Sequence, residues 1–219
     1  MRLSRTEWLT LGLIGLTFVA GALVFPWLPA RVAAHWNFSG AVDGYTSRFW
    51  GAFLVPLIGL GLWALFVFLP RVDPQKRNIE QFRHTFDAFI ALIFIFLAYI
   101  YLLTLGWNFG TRGEIGQWLS PAFALLMFGI SELVTNAQPN WSVGIRTPWT
   151  LSSPTVWKKT HRLGAVLYKV CGGLALLGAL LPSVAFFFVL VPVVSVSIIL
   201  FAYSFFAYRA EQSGTARPR

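Results

Sequence analysis

The chain has 219 residues, 57% of them hydrophobic and only 11% charged, with a formal net charge of +9. Soluble domains carry about 25% charged residues, so the composition argues against a water-soluble enzyme or regulator and for a membrane protein. On a soluble surface the basic balance would suit nucleic acid; on a chain that mostly faces lipid it reads as orientation and contact with anionic headgroups, and no direct nucleic-acid binding is expected.

About six apolar segments approach the roughly 20 helical residues that cross a hydrocarbon core: 8–28, 49–69, 86–107, 118–137, 164–181 and 183–208. The runs are continuous, not alternating, so helices are expected and not a barrel. Ser4-Arg5-Thr6-Glu7 spells a capping box ahead of the first span. That span follows Arg2 and Arg5 like a signal peptide, but its apolar stretch is longer than the 7–15 residues typical of one. It is read as a true span.

The loop 29–48 follows. Asn37, Gly40, Asp43 and Gly44 are turn residues, with Asp43-Gly44 expected to make a tight turn and Ser47 to cap the second span. His35, Trp36 and Tyr45 suit the membrane interface. The loop reads either as an ordered interfacial segment or as a contact surface for an outside ligand. His35 and Asp43 are two candidate metal ligands and do not make a site.

Asp73-Pro74, Ser120-Pro121 and Ser153-Pro154 each place a capping oxygen before a proline that suits the first helical position. Pro56 and Pro192 lie inside spans and are expected to kink them. Asp87, near the start of the third span, is expected to snorkel. In the fourth span the apolar part is short and is followed by Glu132 and Asn136, one turn apart on one face. An ionisable group at that depth is costly, and Arg146 is its expected partner. Pro182-Ser183 leaves room only for a tight hairpin between the last two spans, and the tail Ser213–Arg219 is expected to be disordered. The single cysteine, Cys171, excludes an intramolecular disulfide.

All Lys and Arg except Arg31, Arg48 and Arg112 fall on one side of such a bundle. The positive-inside rule then places both termini and the loop 139–164 in the cytoplasm, and loop 29–48 outside. In the inner loop Gly144 permits unusual backbone, Arg146 carries a planar fork of donors, and Thr147-Pro148 forces an extended or turn geometry. From Ser153-Pro154 onward, Trp157, His161, Gly164 and Tyr168 share one helical face while Lys158, Lys159 and Arg162 project elsewhere.

"GIRTPWTL", followed by a Ser-Pro helix start, Trp157 and "THRLG", resembles the signature of the SdpI family of bacterial membrane proteins, as does Pro139-Asn140 ahead of it. "LPARVAAHWNFSGAVDGYTSR" is similar to a domain of unknown function often found in front of that signature. The resemblance implies an all-α multi-pass protein of the bacterial plasma membrane, with a two-helix unit over 1–70 and a four-helix unit over 71–219. It also implies immunity to a secreted peptide toxin and docking of a cytoplasmic transcriptional repressor. Asn140, Gly144, Arg146, Thr147, Trp149, Thr150, Trp157, Thr160, His161 and Arg162 are the residues it assigns to the cytoplasmic motif. A transporter gated at Glu132 and Asn136 is the alternative, though no pair of inverted repeats is visible. An enzyme is not expected: no HExxH, GxSxG or P-loop occurs, and His35, His84 and His161 stand at unrelated places. No cofactor is expected.

Overall fold

The computed structural model describes residues 3–215. It has six helices long and apolar enough to cross a membrane, confirming the all-α multi-pass class. In chain order these are α1 (Arg5–Val24), α2 (Arg48–Val72), α4 (Arg83–Asn108), α5 (Ile115–Asn136), α7 (Pro154–Leu180) and α8 (Ala185–Thr215). The short helices α3 (Lys76–Gln81) and α6 (Pro148–Ser152) lie in connections, and a two-stranded hairpin, β1 (Arg31–Trp36) and β2 (Val42–Ser47), follows α1. Among the described residues that hairpin holds the only two strands.

Local chemistry accounts for the helix starts that match expectation. Ser4 Oγ accepts from the Glu7 amide (3.2 Å) while Glu7 Oε2 accepts from the Ser4 amide (2.8 Å), a complete capping box. Ser47 caps α2, and Ser153 caps α7 with Pro154 in the first turn. Two starts differ. α5 begins at Ile115, so Ser120-Pro121 lies inside it and Ser120 Oγ donates back to the Gly116 carbonyl (2.7 Å). Asp73 ends α2 and its Oδ1 accepts from the Gln75 amide (2.7 Å), and α3 starts only at Lys76. α8 continues through Ser213 and Gly214 to Thr215, so the expected disordered tail is helical that far; Arg217 and Arg219, like Arg2, lie outside the described residues.

The helices pack as two groups of three. α1, α2 and α4 pack on one another, α7 packs between α5 and α8, and α4 meets α5 across the join. The expected boundary at 70/71 falls in the last turn of α2. Small residues set the close approach in the second group: a Cβ at Gly172 would stand 2.6 Å from Phe128, and one at Gly178 the same distance from Ser120 Oγ. Gly12, Gly15 and Gly173 face open space. A buried cluster that includes Ile14, Phe86, Phe94, Leu133, Val143 and Trp157 draws on both groups. α2 begins at the hairpin and ends where the loop 137–153 folds against the bundle, so the molecule has a hairpin end and a loop end.

Candidate functional site

At the hairpin end the strands pair antiparallel, Arg31 with Ser47, Val32 with Thr46 and Ala33 with Tyr45, with bulges on either side of His35. The turn is not at Asp43-Gly44, which lie in β2. It is made by Asn37–Ala41: the Asn37 amide donates to the Ala41 carbonyl (2.9 Å), and Gly40 takes φ 79°. Asn37 Oδ1 accepts from the amides of Ser39 and Ala41 (3.0 Å each), the local bonding that favours asparagine in turns. The bulges shift the register so that Gly44 stands opposite His35, with Asp43 next to it in β2. The Nδ1 of His35 sits 2.5 Å from the Asp43 carboxylate, with both side chains largely exposed. Among the described residues no third His, Cys, Asp or Glu joins them to form a metal site. Trp36 packs edge-on against Trp107 (5.7 Å).

At the loop end most of the motif's buried polar groups form a knot of hydrogen bonds, Thr160 excepted. Asn140 is fully buried; its Oδ1 accepts from the amides of Ser142 (2.8 Å) and Val143 (2.6 Å), and its Nδ2 donates to the carbonyls of Gln138 and Val143. Gly144 has φ 121°, and a Cβ there would lie 2.6 Å from His161 Nε2. That nitrogen accepts from the Ile145 amide (3.0 Å), so Nδ1 carries the ring proton and donates to the Trp157 carbonyl (2.9 Å). Both nitrogens are occupied, leaving none to ligate metal or move a proton. The imidazole stacks on Trp157 (4.0 Å), whose Nε1 donates to the Ala137 carbonyl (2.9 Å).

Thr147 and Thr150 form a reciprocal capping box for α6. Thr147 Oγ1 also reaches Ser204 on α8 (3.0 Å), and Thr150 Oγ1 donates to the Ile145 carbonyl (2.8 Å). Trp149 lies edge-on to Phe201 and Phe205. Thr160 is fully buried, and its hydroxyl finds no partner among the described residues. Of the motif residues, Arg146 and Arg162 are exposed, as are neighbouring Trp141, Lys158 and Lys159. Arg146 donates to the Trp141 carbonyl, not to Glu132. Glu132 is itself exposed and accepts from Asn136 Nδ2 (2.8 Å). The expected Glu132–Arg146 closure fails because the knot and the α5 face point the two side chains to different neighbours. None of the ion pairs among the described residues involves Arg146, Arg162, Lys158 or Lys159. A cavity of about 400 Å³ opens beside Arg146, walled in part by Phe66, Phe89, Tyr168 and Phe201.

Three links that hold this end are not what the sequence predicts, which reads Glu7 and Asp73 as local caps and Asp87 as snorkelling. Asp73 Oδ2 accepts from the Trp141 amide (3.0 Å) and the Ser142 hydroxyl, and Asn78 Nδ2 donates to the Pro139 carbonyl (2.7 Å), so the α2–α3 connection grips the motif loop. Glu7, 2% exposed, pairs with Arg71 (2.7 Å) and Arg83 (3.1 Å), joining α1, α2 and α4. Asp87 pairs with Arg83 (2.8 Å) instead of snorkelling alone. The available signal was the placement of Glu7, Arg71 and Arg83 at span ends on the same side; their pairing needed the packing.

Residues 136–204 match the SdpI/YfhL protein family, and residues 12–60 match a domain of unknown function, DUF1648. Over 160 residues, 73% of this chain and 74% of the relative, the chain is 27% identical to the Immunity protein SdpI of Bacillus subtilis (strain 168). No solved structure matches it. The first match holds the knot with α7 and most of α8, and the second holds the hairpin with its flanking helices. With six spanning helices around these two segments, the chain is a multi-pass bacterial membrane protein that is similar to the SdpI/YfhL family over 136–204 and to DUF1648 over 12–60.

Proposed function

We propose that the protein is a membrane immunity and signalling protein, which meets a membrane-active peptide at the hairpin end and presents the loop around Arg146 to a cytoplasmic regulator. The observation that carries this reading is α2. One unbroken helix runs from the Ser47 cap in the hairpin to Asp73, whose carboxylate holds Trp141 and Ser142 of the motif loop. A shift of that helix at one end displaces an anchor of the loop at the other, a coupling through a rigid element. The relative's designation as an immunity protein supports the peptide side. The concentration of Lys and Arg at the loop end supports a cytoplasmic loop. Exposed Arg146 and Arg162, with Lys158, Lys159 and Trp141 around them, offer a basic surface to an acidic face of a soluble regulator. Export gated at Glu132 has no comparable support, because Glu132 points away from the bundle interior.

Cells expressing the protein should survive an exogenous membrane-active peptide better than controls, and equal killing across a panel of such peptides removes the immunity role. Pull-down of a small cytoplasmic regulator should weaken in Arg146→Ala; an unchanged pull-down removes the docking role. In a Cys171→Ala background, cysteines placed at 45 and 146 should label from opposite faces of intact cells, with 146 protected outside. Labelling of 146 from outside reverses the orientation.

A further inference from the structure

A pocket of about 320 Å³ lies under the hairpin, where the two helix groups meet. Leu54, Leu103, Ile115, Leu119 and Phe186 form its apolar wall, and Trp36 and Thr46 line it from the hairpin. Among the described residues no Asp, Glu, Lys or Arg lines it, and His35 is its one histidine. The indole Nε1–H of Trp36 is buried and has no acceptor among the described residues. A buried donor left in this way is unfavourable until something supplies an acceptor.

Beside the pocket, one strand edge is closed and the other open. Asn108 Oδ1 accepts from the Ala33 amide (2.8 Å) and Asn108 Nδ2 donates to the Ala33 carbonyl (3.1 Å), so a side-chain amide takes the place of a third strand along β1. With both polar groups of Ala33 turned outward, its partner Tyr45 sits in a non-hydrogen-bonded pair and turns its own N–H and C=O to the free side of β2. No hydrogen-bond partner for them occurs among the described residues. Arg31 and Arg48 flank this edge; Arg31 lies over the Tyr45 ring (4.9 Å), and neither is in an ion pair among the described residues.

We propose that an extended peptide segment adds to the open edge of β2, seats one bulky apolar side chain in the pocket with a carbonyl oxygen on Trp36 Nε1, and sets a carboxylate against Arg31 or Arg48. The main-chain edge supplies affinity and the pocket supplies selectivity, as in other strand-addition sites. The charge of the flanking arginines selects an acidic side chain or a C-terminus. A lipid acyl chain would suit the apolar wall but leaves the strand edge unpaired. The proposal rests on the reading that this end meets a peptide.

The test is to pan a display library of random dodecapeptides against the full chain in nanodiscs. Enriched peptides should pair a large apolar residue with a carboxylate. They should bind at least tenfold more weakly to Trp36→Phe, to Leu119→Trp, which fills the pocket, and to Arg31→Gln/Arg48→Gln. N-methylation of alternate peptide amides should cost the same tenfold or more, and that arm leaves the protein unaltered, so folding defects cannot mimic it. Binding indifferent to N-methylation overturns the site. So does native mass spectrometry that finds a phospholipid lost only in Leu119→Trp, with no peptide enriched. Edge-dependent binding without protection of cells sinks the immunity function and leaves the site standing; protection by peptide-independent means, with no edge-dependent binding, does the reverse.

Discussion

The two ends of α2 use polar residues in opposite ways. At the loop end, Asn140, Thr147, Thr150, Trp157 and His161 are buried and bonded, and among them they hold the backbone of 137–150 in place. At the hairpin end, the Trp36 indole and the outward groups of Tyr45 have no partner among the described residues, and His35–Asp43 stands in solvent-exposed surroundings. The contrast teaches that a crowd of polar residues breaking an oily chain is first a framework. Irregular backbone at a bundle's edge must have its N–H and C=O groups satisfied by something. The proposed docking role draws on the side chains that this framework leaves exposed, chiefly Arg146 and Arg162.

The contrast breaks or sharpens by substitution at each end. The largest effect is expected for Gly144→Val, which combines a disfavoured φ with a collision against His161 and Trp157. A loss of about 3–5 kcal/mol, read as a collapse of thermal stability in detergent, is expected. Asn140→Ala removes the acceptor of two buried amides and the donor to two carbonyls, for about 2–4 kcal/mol in the same measurement. Glu7→Ala leaves Arg71 without its carboxylate and Arg83 with Asp87 alone; because both guanidiniums also keep some solvent, the cost should be nearer about 2–3 kcal/mol than the full penalty for breaking a buried pair. Asp43→Asn at the exposed hairpin pair should change stability by no more than about 0.5 kcal/mol. A stability loss in Asp43→Asn matching that of Asn140→Ala would erase the distinction between the two ends.

Much of the helical frame was legible because its causes are local or compositional. Lipid requires each span to be long, apolar and self-bonded, so six spans stand out of the chain. The caps at Ser4, Ser47 and Ser153 act across three residues and can be read from spacing alone. Ser120 and Asp73 escaped the same reasoning. Ser120 has the pattern of a cap, but the helix around it starts at Ile115. Asp73 spends its second oxygen on a loop 68 residues away. Asp43-Gly44 is a strong local turn signal, but the bulges and the Asn37 side chain put the turn at 37–41.

The amino-acid sequence alone determined that the chain lives in a membrane, where its spans lie, and which two segments carry the family likeness. Those properties depend on composition and on neighbours a few residues apart. Only the tertiary structure decided which motif residues are framework and which remain free, that α2 ties the hairpin to the motif loop, and that one strand edge is closed by Asn108 while the other is open. Those depend on hydrogen bonds between groups distant in sequence, whose partners are chosen by how the helices pack.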